Sequence, residues 1–212
     1  MNDHSFIVRE GEILVSKKKG QKYEQIIDAA VIVIAKHGFH QAQVSKIAKE
    51  AGVADGTIYL YFKNKEDILT SLFEKKMGVF VEKIRSHLAE EGAINKKIKL
   101  LVAAHFNQLE EDYHMAVVTQ LELRQSKTEL RIKINQILKG YLSLLDELIT
   151  EGKESGYFSA EIDVRLARQM IFGTLDEVVT NWVMAEGKFP LKEQAEPVQK
   201  MLLNGLVGSV KD

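Results

Sequence analysis

The segment Val44-Ser45-Lys46-Ile47-Ala48-Lys49-Glu50-Ala51-Gly52-Val53-Ala54-Asp55-Gly56-Thr57-Ile58-Tyr59-Leu60-Tyr61-Phe62 decides how this chain is read. Val44, Ile47, Ala48 and Ala51 recur at the 3/4 spacing of one helical face. Gly52 closes that helix, since glycine takes the left-handed conformation of a tight turn without steric cost. After the turn Gly52-Val53-Ala54 the spacing predicts a third helix from Asp55 to Tyr61. Two short helices across a three-residue turn follow the helix-turn-helix plan, in which the second helix enters the major groove and the first crosses the phosphate backbone. Ala48 and Ala51 are small where the two helices must approach, and Gly56 carries no side chain on the turn that would meet a duplex. Thr57, Tyr59, Tyr61, Lys63 and Lys65 supply hydroxyls and ammonium groups for phosphate oxygens.

Upstream, Ile26, Ala30, Val33, Ile34 and His37 outline a helix that Gly38 ends. Downstream, Asn64 caps a long helix with Glu66 and Asp67 in its first turn, and apolar positions run from Ile68 through Phe80 and Ile84 to a stop at Gly92. The pattern predicts further helices at about 93–111, 114–124, 128–155, 162–186 and 192–209. Residues 1–16 fit no helical period. Phe6-Ile7-Val8 and Ile13-Leu14-Val15 are β-prone runs around Gly11, which suggests an arm or loose hairpin at the periphery. Only Pro190 and Pro197 occur, so 189 residues pass without a proline, and the expected class is all-α. The domain reading is an extension at 1–16, a DNA-binding head at 17–66 and a second domain at 67–212.

Composition excludes several classes. The 212 residues are 45% hydrophobic and 28% charged, which suits a folded chain rather than disorder. The longest apolar run, Ala29 to Ala35, is far short of the roughly 20 residues that span a bilayer. Met1-Asn2-Asp3-His4 lacks the basic and apolar regions of a secretory signal, so a cytoplasmic protein with no membrane partner is expected. With no cysteine there is no disulfide, no thiolate metal site and no cysteine nucleophile. The net charge of −1 hides an asymmetry: Lys17–Lys65 holds nine lysines against four acids, a net +5, while the body is acidic. A basic module on an acidic body suits a nucleic-acid binder with a separate second domain.

From Ile47 to Glu66 these residues resemble the signature of TetR-family transcriptional repressors, and Tyr23 to Leu69 match that signature in order and spacing. In the second domain, Thr119-Gln120-Leu121-Glu122-Leu123-Arg124-Gln125-Ser126 and Asp163-Val164-Arg165-Leu166-Ala167-Arg168-Gln169-Met170-Ile171-Phe172-Gly173-Thr174 are similar to FadR-type repressors of fatty-acid degradation. The resemblance implies a TetR-like fold, with a three-helix helix-turn-helix head and a helical ligand-binding and dimerisation body. It implies a homodimer on a palindromic double-stranded DNA operator, released by long-chain acyl-coenzyme A acting as regulatory ligand, with no cofactor. The DNA contacts it implies are Ser45, Lys46, Asp55, Gly56, Thr57, Tyr59, Tyr61, Lys63 and Lys65. The recognition helix carries no arginine for a bidentate grip on guanine, so readout rests on hydroxyls, apolar contact and a lysine from Lys17-Lys18-Lys19. Two positions depart from the pattern. Ala54 stands where a Ser or Thr often caps the recognition helix, leaving Asp55 to serve, and Gln43 stands where a hydroxyl residue is common.

An acyl chain needs an apolar corridor between helices, and coenzyme A needs cations at its mouth. The candidate walls are Phe80, Ile84, Leu101, Phe106, Leu109, Val117, Val118, Leu121, Tyr141, Leu145, Met170, Thr174 and Val178; the alternative for each is plain bundle core. Arg124, Arg131, Lys133 and Arg168 are the candidate phosphate partners, against ordinary surface pairing. Phe172, Leu175, Val179, Trp182 and Val183, with Leu202, Leu203 and Leu206, form apolar stripes on the last two helices. By resemblance they face a second chain; the alternative is the chain's own core.

An enzyme is not expected. His105 and His114 lie nine apart near Glu110, Glu111 and Asp112, but no HExxH, glycine-rich phosphate loop or GxSxG occurs. Two other readings keep the fold or part of it: a repressor answering to a drug or signal lactone, and a ligand carrier with a vestigial head.

Overall fold

The computed structural model describes residues 4–207, and side chains from Gly20 to Val207. Every regular element among the described residues is helical: α1 His4–Gln41, α2 Val44–Glu50, α3 Asp55–Ile58, α4 Lys65–Ala89, α5 Ile94–Glu111, α6 Tyr113–Glu122, α7 Thr128–Glu154, α8 Val164–Met184, a 3-10 turn Leu191–Gln194 and α9 Ala195–Leu206. The chain divides into two compact units, Met1–Leu72 and Phe73–Asp212.

In the first unit α1 and α2 pack together, and α2 meets α3. Gly38, at φ 70° and ψ 155°, breaks α1 at the glycine expected to stop it and redirects the last residues to Gln41. Gly52 has φ 65° and Val53 N–H donates to Ala48 O at 3.0 Å, so the turn closes as its glycine requires. Ile26, Ala30, Ile34, Ile47, Ala48, Ile58, Ile68 and Leu69 are fully or nearly fully buried and make the core of this unit. Asn64 Oδ1 accepts from Asp67 N–H at 2.9 Å, and Asp67 Oδ2 accepts from Lys63 N–H at 2.8 Å, a reciprocal arrangement that starts α4 in a fixed direction.

In the second unit α5 lies against α9, α7 against α8, and α6 against α8. Asp112 caps α6 through Met115 N–H at 3.0 Å, and Asp163 caps α8 through Leu166 N–H at 2.7 Å. The core is drawn from every helix: Ile98, Leu101, Val102 and Phe106 of α5, Val118 of α6, Leu145 and Ile149 of α7, Ile171, Leu175 and Val179 of α8.

Three expectations change. The arm or hairpin proposed for residues 1–16 is replaced by helix from His4 on, because extending an existing helix requires no new nucleus even through β-prone residues. The third helix ends at Ile58 rather than Tyr61; beyond it the backbone tightens into i+3 turns, Leu60 N–H to Thr57 O and Tyr61 N–H to Ile58 O. The last helix, expected from about 192 to 209, runs from Ala195 to Leu206 behind a 3-10 turn, Leu191–Gln194, that follows Pro190; Pro197 sits in its first turn, where the missing amide proton breaks no helical bond.

Candidate functional site

The helix-turn-helix presents its polar side chains on the surface of the first unit. Ser45 and Lys46 are exposed on α2, Asp55 and Gly56 are exposed at the start of α3, and Thr57 is half-buried. Tyr59 is 60% exposed. Leu60, at 81%, is the most open large apolar residue of this surface and was missed in the sequence, where it reads as an ordinary helical apolar position. Tyr61 is half-buried, with its ring 6.5 Å from Tyr23 and 6.4 Å from Phe62, so packing orients its hydroxyl. Ala54 is the N-cap of α3 without a side-chain hydrogen bond; Asp55 lies inside the first turn, where it favours the helix dipole but does not replace the cap. Gln43 likewise caps α2 with no side-chain bond. Lys63 is exposed. Lys65, expected as a phosphate contact, is half-buried: its ammonium donates to His40 O at 2.8 Å and sits 4.8 Å from the Phe39 ring centroid, which ties the end of α1 to the start of α4. The Lys17–Lys19 run lies outside the described side chains.

In the second unit, Phe80, Ile84, Leu101, Phe106, Leu109, Val117, Val118, Tyr141 and Leu145 are buried, and Thr174 and Val178 are half-buried. Phe80, Phe106 and Tyr141 converge on His105, with ring centroids 5.5, 5.9 and 5.7 Å from the imidazole. Phe172, expected at a dimer face, is half-buried and meets Tyr141 edge-on at 6.3 Å. Tyr141 Oη and His105 Nδ1 are 2.9 Å apart, and His105 Nε2 has no hydrogen-bond partner among the described residues. Burial lowers the imidazole pKa to about 4 and raises that of the Tyr141 phenol, so both are neutral. The sequence shows His105 only as a polar interruption of the apolar stripe Ile98, Leu101, Val102, Phe106 and Leu109, which is the signal that marks it.

Two expected wall residues turn outward. Leu121 is 48% exposed although Val117 and Val118, one turn before it, are buried; beside it on α6 the polar Thr119, Gln120 and Glu122 are buried, and Thr180 Oγ1 and Gln125 Nε2 bond to Gln120 and Glu122. Met170 is 37% exposed, with its thioether beside Gly205 of α9. Among the basic candidates, Arg124 pairs with Asp176, Arg168 pairs with Asp146, Arg131 reaches the Gln125 and Ser126 carbonyls at 3.4 Å, and Lys133 is exposed.

The dimer stripe also needs correction. Leu175, Val179, Trp182, Val183, Leu202, Leu203 and Leu206 are buried by their own chain. Side chains at most 8% exposed in one protomer have little surface to give a second copy, so these residues are core. Trp182 is held there by an Nε1–H bond to Phe189 O at 2.7 Å and by the Tyr113 ring at 5.3 Å. The opposite face of α8 leaves Leu166, Met170 and Met184 exposed, and α9 leaves Met201 exposed.

No helix among the described residues is long and apolar enough to cross a membrane, and none of their His, Asp and Glu side chains gather into a group that could hold a metal ion. Glu110 is used locally, accepting from Leu191 N–H at 2.8 Å.

An exposed helix-turn-helix in a basic head, followed by a separate helical body with a buried aromatic and imidazole centre, is the arrangement of a one-component regulator. Residues 26–72 match the model of bacterial regulatory proteins of the tetR family, and residues 73–205 match that of the YsiA-like protein C-terminal region. The chain belongs to the TetR family of transcriptional regulators. It is 58% identical to the fatty acid metabolism regulator protein of Bacillus subtilis over 190 residues, covering 90% of this chain and 98% of that one. Among solved structures, the fatty acid degradation regulator FadR of Bacillus halodurans is 68% identical with a TM-score of 0.84, covering 87% of this chain and 99% of that one. FadR of Bacillus subtilis in complex with stearoyl-CoA is 59% identical at the same TM-score and the same coverage. These relatives are regulators, not enzymes.

Proposed function

We propose that this chain is a homodimeric repressor of fatty-acid degradation genes, released from its operator by long-chain acyl-coenzyme A. The observation that carries the reading is the 59% identity, over 87% of this chain and 99% of the other, to a regulator solved with stearoyl-CoA. The body is of the right chemistry for such a ligand, with an apolar interior lined by aromatic rings and basic side chains at Arg124, Arg131 and Lys133 for phosphates.

On the DNA side, Ser45, Lys46, Lys63 and the Tyr61 hydroxyl are the backbone contacts, and Thr57, Tyr59 and Leu60 are the groove contacts, with Leu60 suited to a thymine methyl. Gly56 lets the backbone approach. The second copy packs on Leu166, Met170, Met184 and Met201, which would otherwise leave four large apolar side chains in water. A two-fold dimer then offers two recognition helices to half-sites about 34–36 Å apart. The DNA target places the protein in the cytoplasm.

The ligand acts through α4, whose residues belong to both units of the chain. It shifts the dimer between DNA-competent and released states only by its differential affinity for them. A swing from 1:99 to 99:1 needs a preference of about 10⁴-fold, or roughly 5.5 kcal/mol. Fluorescence anisotropy on fragments upstream of acyl-coenzyme A dehydrogenase genes tests the proposal, with and without palmitoyl-coenzyme A below its micelle concentration. Tight binding released by the thioester, and by neither free palmitate nor free coenzyme A, is expected. Tight binding indifferent to the thioester would leave a repressor for another ligand; no binding at low salt would remove the DNA function.

A further inference from the structure

The centre of the body holds a polar pair that an apolar corridor does not require. His105 is 7% exposed and Tyr141 1% exposed, surrounded by Phe80, Phe106 and Phe172. A hydrocarbon tail gains nothing from an imidazole, and a phenylalanine would fill the same volume without desolvating two ring nitrogens.

The hydrogen-bond inventory fixes the direction of the pair. In one tautomer Nδ1–H donates to Tyr141 Oη, which leaves two groups unmet, the phenolic proton and the Nε2 lone pair. In the other, Tyr141 Oη–H donates to Nδ1 and only Nε2–H is left. The second leaves fewer buried polar groups unsatisfied, and each such group costs about 1–3 kcal/mol. Burial keeps the imidazole neutral, so Nε2 is a single, oriented N–H donor inside an aromatic enclosure.

We infer that His105 Nε2–H, held in its tautomer by Tyr141, donates a hydrogen bond to the thioester carbonyl oxygen of the acyl-coenzyme A. Moving outward along such a ligand from the hydrocarbon end, the thioester oxygen is the first acceptor met. A donor buried among phenylalanines therefore has one acceptor to find that does not bring the hydrophilic part of the ligand inside. The pair makes the body a reader of acyl thioesters rather than of long apolar chains in general: a saturated chain without a carbonyl leaves Nε2–H unmet. This inference rests on the acyl-coenzyme A reading above.

The test compares palmitoyl-coenzyme A with S-hexadecyl-coenzyme A, in which a methylene replaces the carbonyl, by isothermal titration of the full chain. The expected result is a thioester preference of about tenfold, the contribution of one good buried hydrogen bond. The preference falls to near one in His105→Phe and is reduced in Tyr141→Phe, which frees the tautomer but keeps the imidazole. A second readout is the infrared carbonyl stretch of 1-¹³C-labelled palmitoyl-coenzyme A: the bound band shifts down in the unmodified chain and returns toward its apolar-solvent position in His105→Phe. Cooperative urea unfolding of both variants, followed by the fluorescence of Trp182 in the body, shows that they are folded; should His105→Phe fail to fold, Tyr141→Phe and the unmodified chain still carry the test. Equal affinity of the unmodified chain for the two ligands, with no shift of the carbonyl band, overturns the inference and leaves the ligand class intact. If neither compound binds a chain that still binds its operator, the acyl-coenzyme A reading itself fails, and the inference with it.

Discussion

The Lys65 ammonium donates to the His40 carbonyl oxygen at 2.8 Å while resting 4.8 Å from the Phe39 ring centroid, so a residue that reads as a phosphate contact also fastens α1 to α4. The two roles separate by measurement. Lys65→Met keeps the aliphatic stem but loses the donor and the cation, and is expected to destabilise the first unit by about 1 kcal/mol, since exposed hydrogen bonds and cation–π contacts each contribute on that order. Lys63 is exposed, and Lys63→Ala is expected to leave stability unchanged while reducing the slope of log affinity against log salt by about 0.9. Thermal melts with anisotropy at several salt concentrations decide it. A Lys65→Met head that melts like the unmodified one would mean the His40 contact contributes nothing.

Tyr59 and Tyr61 are two residues apart but differ in surroundings, one 60% exposed and the other half-buried against Tyr23 and Phe62. Tyr61→Phe keeps the packing and removes the hydroxyl, so DNA affinity should fall by the same factor on every sequence with the melting temperature unchanged. Tyr59→Ala and Leu60→Ala should weaken the preferred operator more than a random fragment, as groove contacts do. Equal losses on both DNAs for all three variants would show that the recognition surface has been assigned the wrong way round.

Much of the head was legible because it is local. Gly38 and Gly52 mark breaks that only glycine tolerates readily, Asn64 caps where its spacing to Asp67 requires, and α2 starts where its apolar period does, at Val44, and ends one residue short of it, at Glu50. The body was legible as helices but not as faces. Helix α8 carries two apolar stripes, Leu175-Val179-Trp182 and Leu166-Met170-Met184, and period alone cannot say which one its own chain covers. Helix α6 misled in the opposite way, since a polar cluster around Gln120, Asp176 and Thr180 is buried by mutual hydrogen bonding while Leu121 faces out. His105 was visible as a residue but not as a site, because its meaning comes from Phe80 and Tyr141, on helices distant in sequence.

Gly152 is fixed by contact rather than by conformation. A Cβ built there falls 2.0 Å from Cδ2 of Phe158, a ring 2% exposed, while Phe158 N–H donates to Gly152 O at 2.8 Å. The ring thus lies on the bare backbone of α7 just before its end. Gly152→Ala should cost about 1–3 kcal/mol despite the better helix propensity of alanine, because the ring has to move out of a filled site. Gly140 sits on the same helix with nothing within 4 Å of its Cβ position, so Gly140→Ala should stabilise by up to about 1 kcal/mol. Urea denaturation of the two variants gives the comparison; a destabilised Gly140→Ala or an unaffected Gly152→Ala would contradict it.

The recognition helix begins at Ala54, whose backbone is already extended at φ −71° and ψ 148° as an N-cap requires but whose methyl accepts nothing. Ala54→Ser supplies an acceptor for the free amides of the first turn without changing that backbone, and should stabilise the head by about 1 kcal/mol. Any change in operator affinity then reports how much of the binding free energy is spent ordering a helix of four residues. A serine that leaves the melt unmoved would mean that water already satisfies these amides.

The buried imidazole also sets a pH dependence whose sign is fixed. His105 titrates near 6.5 when unfolded and near 4 when folded, because burial among Phe80, Phe106 and the neutral Tyr141 disfavours its charged form. Between those values the unfolded chain binds the extra proton, so the body loses stability as pH falls below about 6.5, and the loss stops growing below about 4. From pH 7.5 to 5.5 this one group accounts for about 1.4 kcal/mol. His105→Phe should abolish that share of the loss while leaving the stability above pH 7 flat with pH, as it is in the unmodified chain over the same range for this group. Urea midpoints at pH 7.5 and 5.5 for the two proteins measure it as a difference of differences, in which the surface carboxylates cancel. Identical losses in the two would mean the imidazole is reached by water and protonates in place.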